Sequence, residues 1–348
     1  MSCKDFAKQR RQIEPIRYKG LVMKRRAFIG VIATSLMVVA RLSGGQPRNL
    51  RRIGYLGNGV RPPDGAVPTA LRDRLRVLGF TDGKDIVYEA RWAGGRNERL
   101  RDLAGELVSS NVDLIIAFGG PAAEAAKQAS ATVPIIAMNA GDMVETGLVS
   151  TLARPGGNVT GVNDPAAVLS GKRLELLKEM VPAATRVAVI WNADNRAMTL
   201  RYREIERAAK GMGMSVEPFG VREPDDFGPA LASMKREHPD ALMMVTDALT
   251  NLNRQRVLDF VSSEQIPAIY EFDNVVQAGG LISYGSDQDD ILRLVADYVA
   301  KVLKGAKPSE LPVEQPNRYF LVVNLKTAKA LGLTLPQSLL LRADALLQ

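Results

Sequence analysis

"VDLIIAFGGPAAEAAKQASATVPIIAMN", residues 112–139, decides the fold. The run 112–119 is short, apolar and rich in isoleucine. Gly119, Gly120 and Pro121 break it, and an alanine-rich helix follows over 121–130. A second apolar run, 133–139, closes the unit. Strand, tight turn, helix and strand, with strands apolar throughout, describe a parallel sheet covered on both faces. The same rhythm extends outward. Strands are expected at 52–57, 85–92 and 158–163, with helices at 66–79 and 97–110. The rhythm then restarts near residue 164, just after "ARPGGNVTGVNDP", with strands at 186–192, 214–220, 240–247, 266–272 and 280–285. Helices at 168–181, 195–212, 225–237 and 250–264 separate them. Two successive runs of this kind predict an α/β protein of two doubly wound, Rossmann-like lobes. A late helix carries Ile291, Leu294, Val295, Tyr298, Val299, Val302 and Leu303 on one face, with a capping box from Ser286 and Asp289. An apolar strand and a short helix complete the tail.

The amino-terminal segment changes how charge is read. Lys24, Arg25 and Arg26 precede a charge-free run of 14 residues, Ala27 to Ala40, and Gly44, Gly45 and Pro47 follow. This is the layout of a secretory signal peptide, and the run is short of the about 20 residues that span a bilayer. "RRAFI" also resembles a twin-arginine signal. The reading is an upstream extension over 1–22, Met23 as initiator and a cleaved signal over 23–48; the alternative is an uncleaved signal that tethers the protein to the inner membrane. The chain holds 46 Lys+Arg and 38 Asp+Glu; residues 1–48 contain 11 and 2 of these, which leaves 35 and 36 for the remainder, a net of −1. The basic balance thus belongs to the leader, and nucleic acid is not an expected partner. The single cysteine, Cys3, lies upstream of the signal, so the remainder has no disulfide and no thiolate ligand.

Tests for chemistry return little. The only histidine, His238, precedes Pro239 in "REHPD" and reads as a solvated turn residue. No Ser–His–Asp or Cys–His set is available, and a zinc site would lack nitrogen and sulfur ligands. "GNGVRP" (57–62) places Pro62 where a dinucleotide fingerprint needs its third glycine, and no P-loop occurs. No cofactor and no metal are expected. What remains is a set of polar and glycine residues at the carboxyl ends of strands, where open parallel sheets hold ligands. They are Gly57, Asn58, Gly119, Gly120, Pro121, Asn139, Asp142, Asn192, Asp247, Tyr270, Glu271 and Tyr284. The helix start at Gly120 suits a carboxylate or phosphate. Trp92 and Trp191 each end a strand; core packing is the default reading of both, and Trp191 is the better candidate of the two for a stacking wall because Asn192 and Asp194 follow it.

Several stretches together resemble a known family: "ASATVPIIAMNAGDMVETGLVSTLARPGGNVTGV", "KRLELLKEMVPAATRVAVIWN", "IPAIYEFDNVVQAGGLISYG" and "LKGAKPSELPVEQPNRYFLVVNLKTAKALGLTLPQSLLLRAD". They look like substrate-binding proteins of ABC transporters, of the tryptophan/tyrosine-type group, over residues 51–346. The resemblance implies a type I periplasmic binding fold with a ligand cleft between lobes. One lobe would comprise 49–163 plus 284–312, the other 164–283 plus 313–348. It further implies a non-enzymatic, monomeric periplasmic protein that binds an amino acid or related small carboxylate and delivers it to a membrane permease. A ligand-sensing receptor, or an enzyme working through Asp142, Asp247 and Glu271, are the alternatives. Relatives often carry a hydroxyl residue where this chain has Gly120. Aromatic content of 5% gives no support for an aromatic ligand.

Overall fold

The computed structural model describes residues 50–63, 65–163 and 166–348. The upstream extension and signal segment expected over 1–48 lie outside the described residues. Within Leu50–Gln348 the chain forms one unit built on two sheets.

The first sheet is all parallel, in the order β2-β1-β3-β4-β5. Its strands are β1 (Arg51–Gly57), β2 (Ile86–Trp92), β3 (Leu114–Phe118), β4 (Ile135–Met138) and β5 (Val159–Val162). The centres of β1, β3, β4 and β5 are buried because helices cover both faces, while the edge strand β2 is half-buried beyond Ile86. Helices α1 (Thr69–Val77), α2 (Leu100–Ser109) and α3 (Gly120–Ala129) connect the first four strands. β4 and β5 approach so closely that a Cβ on Gly161, at φ +144°, would lie 2.0 Å from the Ala137 carbonyl oxygen. Only glycine fits there.

The second sheet has seven strands, ordered β12-β11-β10-β9-β8-β6-β7. They are β6 (Arg186–Asn192), β7 (Ser215–Val221), β8 (Ala241–Met244), β9 (Ala268–Tyr270), β10 (Ile282–Ser286), β11 (Tyr319–Asn324) and β12 (Ala345–Leu347). The sheet is parallel as expected except at one pair, β10 and β11, which run antiparallel. Helices α4 (Ala166–Met180), α5 (Arg196–Gly211), α6 (Phe227–Glu237), α7 (Ala248–Leu252), α8 (Arg254–Ser263) and α9 (Asp273–Gln277) cover this sheet. The single helix expected over 250–264 is two, broken at Asn253, whose amide donates back to the Leu249 carbonyl at 2.9 Å. Asparagine competes with helix continuation in this way. His238 ends α6 in the left-handed conformation, φ 49°, and is exposed.

Helix α10 (Gln288–Leu303) crosses back to the first sheet, where Ile291, Leu292, Val295, Tyr298 and Val299 pack against Ile53, Leu71, Ile116 and Met138. Its cap is Asp287, whose carboxylate accepts from the Asp289 and Asp290 N–H groups; the box expected from Ser286 does not form. Ser286 is instead the last residue of β10, so the crossing starts after it rather than at 284. The return falls later than 313 as well: Val313 packs in the first lobe's core and Glu314 bridges Val162. Tyr298 fastens this return strand, donating to the Pro312 carbonyl and lying 3.1 Å from Glu314 Oε1. The tail adds α11 (Leu325–Ala330), α12 (Gln337–Arg342) and β12. Among the described residues, no helix is long and apolar enough to cross a membrane.

Candidate functional site

The carboxyl edges of the two sheets face one another across a cavity of about 390 Å³, within the range of small-molecule sites. The first lobe lines it with Tyr55, Asn58, Trp92, Phe118, Gly119 and Asn139, joined by Gln288 at the start of α10. The second lobe supplies Asn195, Met198, Arg201, Thr246, Asp247 and Phe272. The lobes touch beside the cavity. Arg196 donates to the Glu145 carbonyl at 3.2 Å. A Cβ on Gly141 would lie 2.5 Å from the Ala197 Cβ, so glycine at 141 permits this approach.

Four of the residues expected at the strand ends line the cavity: Asn58, Gly119, Asn139 and Asp247. Asn58 is buried and its Oδ1 has no hydrogen-bond partner among the described residues. Asn139, at φ 51°, donates to Gln288 Oε1 at 2.6 Å, which leaves its own Oδ1 and the Gln288 Nε2 without a partner among the described residues. Asp247 caps α7. One oxygen accepts from the Thr250 N–H at 3.1 Å; the other accepts from Asn192 at 2.6 Å and Asn195 at 3.3 Å. Burial pushes its pKa up, and the hydrogen bonds from Thr250, Asn192 and Asn195 oppose that only in part.

The remaining candidates serve other ends. Gly57 is the seat of the Trp92 indole: the two residues are cross-strand partners, and a Cβ on Gly57 would lie 2.3 Å from the ring. Gly120 and Pro121 open onto a neighbouring cavity, so the start of α3 does not aim into this one as expected. Asp142 is exposed and caps its own turn, accepting from the Val144 and Glu145 N–H groups at 2.9 Å each. Asn192 sits behind the wall and orients Asp247. Tyr270 is fully buried in the second lobe's core. Tyr284 lies on β10, where its carbonyl accepts from Arg173 Nε at 2.7 Å. Trp191 packs in the core, its default reading, stacked on Tyr202 at 4.0 Å, and Trp92 rather than Trp191 is the tryptophan at the cavity.

Glu271 acts one layer back. Its carboxylate accepts from Arg173 Nη1 at 3.2 Å, from Arg201 Nη1 at 2.8 Å and from the Thr246 N–H at 3.2 Å. All three charged side chains are at most 5% exposed. The cluster fixes Arg201, whose side chain lines the cavity. Sequence reasoning missed Arg201 and Gln288, and it missed the rings of Tyr55, Phe118 and Phe272. A usable signal existed for Arg201: it shares the buried face of α5 with Ala197, Met198, Ile205 and Ala209, and a basic residue on an apolar stripe needs a partner. Among the described residues, no group of three or more His, Cys, Asp or Glu could hold a metal ion.

Comparison with known proteins agrees with this architecture. The family model described as "ABC transporter substrate binding protein" matches residues 66–347. A tyrosine-binding protein of Clostridioides difficile (strain R20291) is 29% identical over 259 residues, which is 74% of each chain. The crystal structure of an ABC domain in complex with L-Trp from Streptococcus pneumonia is 26% identical, with a TM-score of 0.80 over 86% of this chain and all of that one. The ligand-free, open structure of a substrate-binding protein with adhesive properties from Clostridium difficile is 27% identical over the same shares, but its TM-score is 0.63. A match across most of the chain, on the expected fold, settles its membership: this protein belongs to the ABC transporter substrate-binding protein family.

Proposed function

We propose that this chain is the solute-receiving component of an ABC import system, that it works in the periplasm after its leader is removed, and that it hands a small amino-acid-like ligand to a membrane permease. The observation that carries the reading is the cavity wall. Tyr55, Trp92, Phe118 and Phe272 surround it, while Asp247 and Arg201 stand on one side. The overall aromatic content gave no sign of this, because bulk composition does not register where rings gather. Flat rings and a few fixed polar groups suit an aromatic amino acid, the ligand type named for the two relatives above. The better superposition on the L-Trp complex than on the open structure supports lobes that close on their ligand. Its role is binding rather than catalysis, and the protein acts as a monomer.

The test is calorimetry on unfolded and refolded protein, freed of carried-over ligand. Aromatic amino acids should bind and raise the melting temperature, by an amount that corresponds to about 2.7 kcal/mol at a hundredfold excess over Kd. Binding of no amino acid or related small acid would sink the reading. Size-exclusion chromatography with light scattering checks the monomer, and cell fractionation checks the compartment.

A further inference from the structure

Outside the cavity the two lobes meet through glycines of the first lobe. Gly120 and Gly141 face the start of α5. A Cβ on Gly120 would lie 3.7 Å from Asn195 Oδ1, and one on Gly141 would lie 2.5 Å from the Ala197 Cβ. Gly95, in the turn after β2, faces the end of α7, where a Cβ would lie 2.9 Å from Leu252 Cδ1. Arg196 adds its hydrogen bond to the Glu145 carbonyl at 3.2 Å.

These contacts differ in how far they can yield. At Gly120 the approach to Asn195 is ordinary van der Waals contact. At Gly95 the facing atom is the tip of a flexible leucine. At Gly141 the facing atom is a Cβ fixed to a helix, and both sides are held. Ala197 lies in the first turn of α5, where Asn195 accepts from the Ala197 N–H at 3.1 Å and donates to Asp247 at 3.3 Å. Gly141 follows Ala140 and precedes Met143 by two residues, and both of these are fully buried in the first lobe's core. The Met143 N–H is tied to Asn163 Oδ1 at 2.9 Å. Close-packed surroundings of this kind absorb an added methylene poorly. Neither Gly141 nor Ala197 is among the residues that line the cavity.

Resting on the solute-binding reading, we propose that the Gly141–Ala197 contact is the stop that sets how far the lobes close, which makes Ala197 a positioning residue for a ligand it does not touch. The link runs along α5. Met198 and Arg201 stand on the same helix and reach the cavity wall, so the depth at which α5 comes to rest fixes their distance from Tyr55, Trp92 and Phe118. A side chain larger than alanine at 197 halts the helix short of that depth. The closed form then becomes a minor state, and apparent affinity falls by the lost fraction of competent protein.

The test compares wild type with Ala197→Val and Ala197→Leu, using tryptophan, tyrosine and phenylalanine as probes. Calorimetry gives affinity, stopped-flow fluorescence gives rates, and small-angle X-ray scattering gives the contraction on adding ligand. Affinity should fall with side-chain size, by about tenfold or more for Ala197→Leu. Faster dissociation should carry most of the loss. Saturating ligand should contract wild type and leave Ala197→Leu near its ligand-free radius, a readout that a local packing defect would not move. Ligand-free melting curves verify that the variants fold. If neither does, Arg196→Ala decides: Arg196 is exposed and bonds across the same contact, so its loss should weaken binding a few-fold. Wild-type affinity or wild-type contraction in folded Ala197→Leu overturns the stop and leaves the solute-binding reading intact, as does unchanged affinity in Arg196→Ala where the other variants do not fold. Failure of wild type to bind any of the three amino acids overturns both.

Discussion

Replacing Glu271 with glutamine is the most demanding test of the second lobe's electrostatics. The substitution preserves volume and removes one charge. Glu271 accepts three hydrogen bonds, at 3.2 Å from Arg173, 2.8 Å from Arg201 and 3.2 Å from the Thr246 N–H. A glutamine can turn only one oxygen toward these donors, so its NH2 group must face a guanidinium N–H. Location decides the magnitude. An ion pair on the surface is worth about 0–1 kcal/mol. Here the side chains are 2%, 5% and 2% exposed, and removing one partner of a buried pair costs about 3–5 kcal/mol. That is a large part of a total stability of about 5–15 kcal/mol. The damage should also reach β10, because Arg173 holds the Tyr284 carbonyl. Urea unfolding followed by circular dichroism measures the effect, as a fall in midpoint at constant slope. A loss below about 1 kcal/mol would place Glu271 among ordinary surface pairs and refute the argument.

Other predictions follow from single residues. The protein's two tryptophans divide by location, Trp92 at the cavity and Trp191 stacked in the core, so ligand-induced fluorescence change should vanish in Trp92→Phe and persist in Trp191→Phe. Gly161→Ala should cost roughly 3 kcal/mol or more, since a Cβ would overlap the Ala137 carbonyl and the backbone conformation disfavours it; soluble yield and thermal melts check it. The Thr185 and Arg186 N–H groups hold the Asp240 carboxyl below the usual carboxylate range. Its contribution is therefore complete above the unfolded-state pKa of about 3.9 and disappears as pH falls through the lower folded value. Asp240→Asn should be less stable than wild type at neutral pH, and the two denaturation curves should converge in acid. Asp142→Ala should leave ligand affinity unchanged in calorimetry, because Asp142 caps an exposed turn outside the cavity.

Order and type of the elements were readable because the inner strands β3, β4 and β8 are uninterrupted apolar runs and helices such as α2, α5 and α10 carry an apolar stripe. The cavity was readable only in part. Asn58, Gly119, Asn139 and Asp247 follow directly from strand ends, a rule that needs no tertiary knowledge. Gln288 meets Asn139 across 149 positions of sequence, and that meeting exists only because α10 crosses between sheets. Trp92 and Trp191 carry the same local signal, a tryptophan near the end of a strand. The deciding difference is the partner: Gly57 opens a seat for Trp92, whereas Tyr202 covers Trp191. Tyr270 and Glu271 are adjacent at the end of β9, yet one lies in the core and the other behind the wall. Neighbouring residues on a strand point to opposite faces, and sequence alone does not say which face meets the ligand.

The crossing of α10 also bears on the order in which the chain can fold. The first sheet ends at Val162, but the helix that covers one of its faces arrives only with residues 288–303. A chain emerging amino-terminus first must hold Ile53, Ile116 and Met138 without that cover while the whole of α4 to α9 is being made. The first lobe is therefore begun early and sealed late, and it stays open to unfolded handling for most of synthesis.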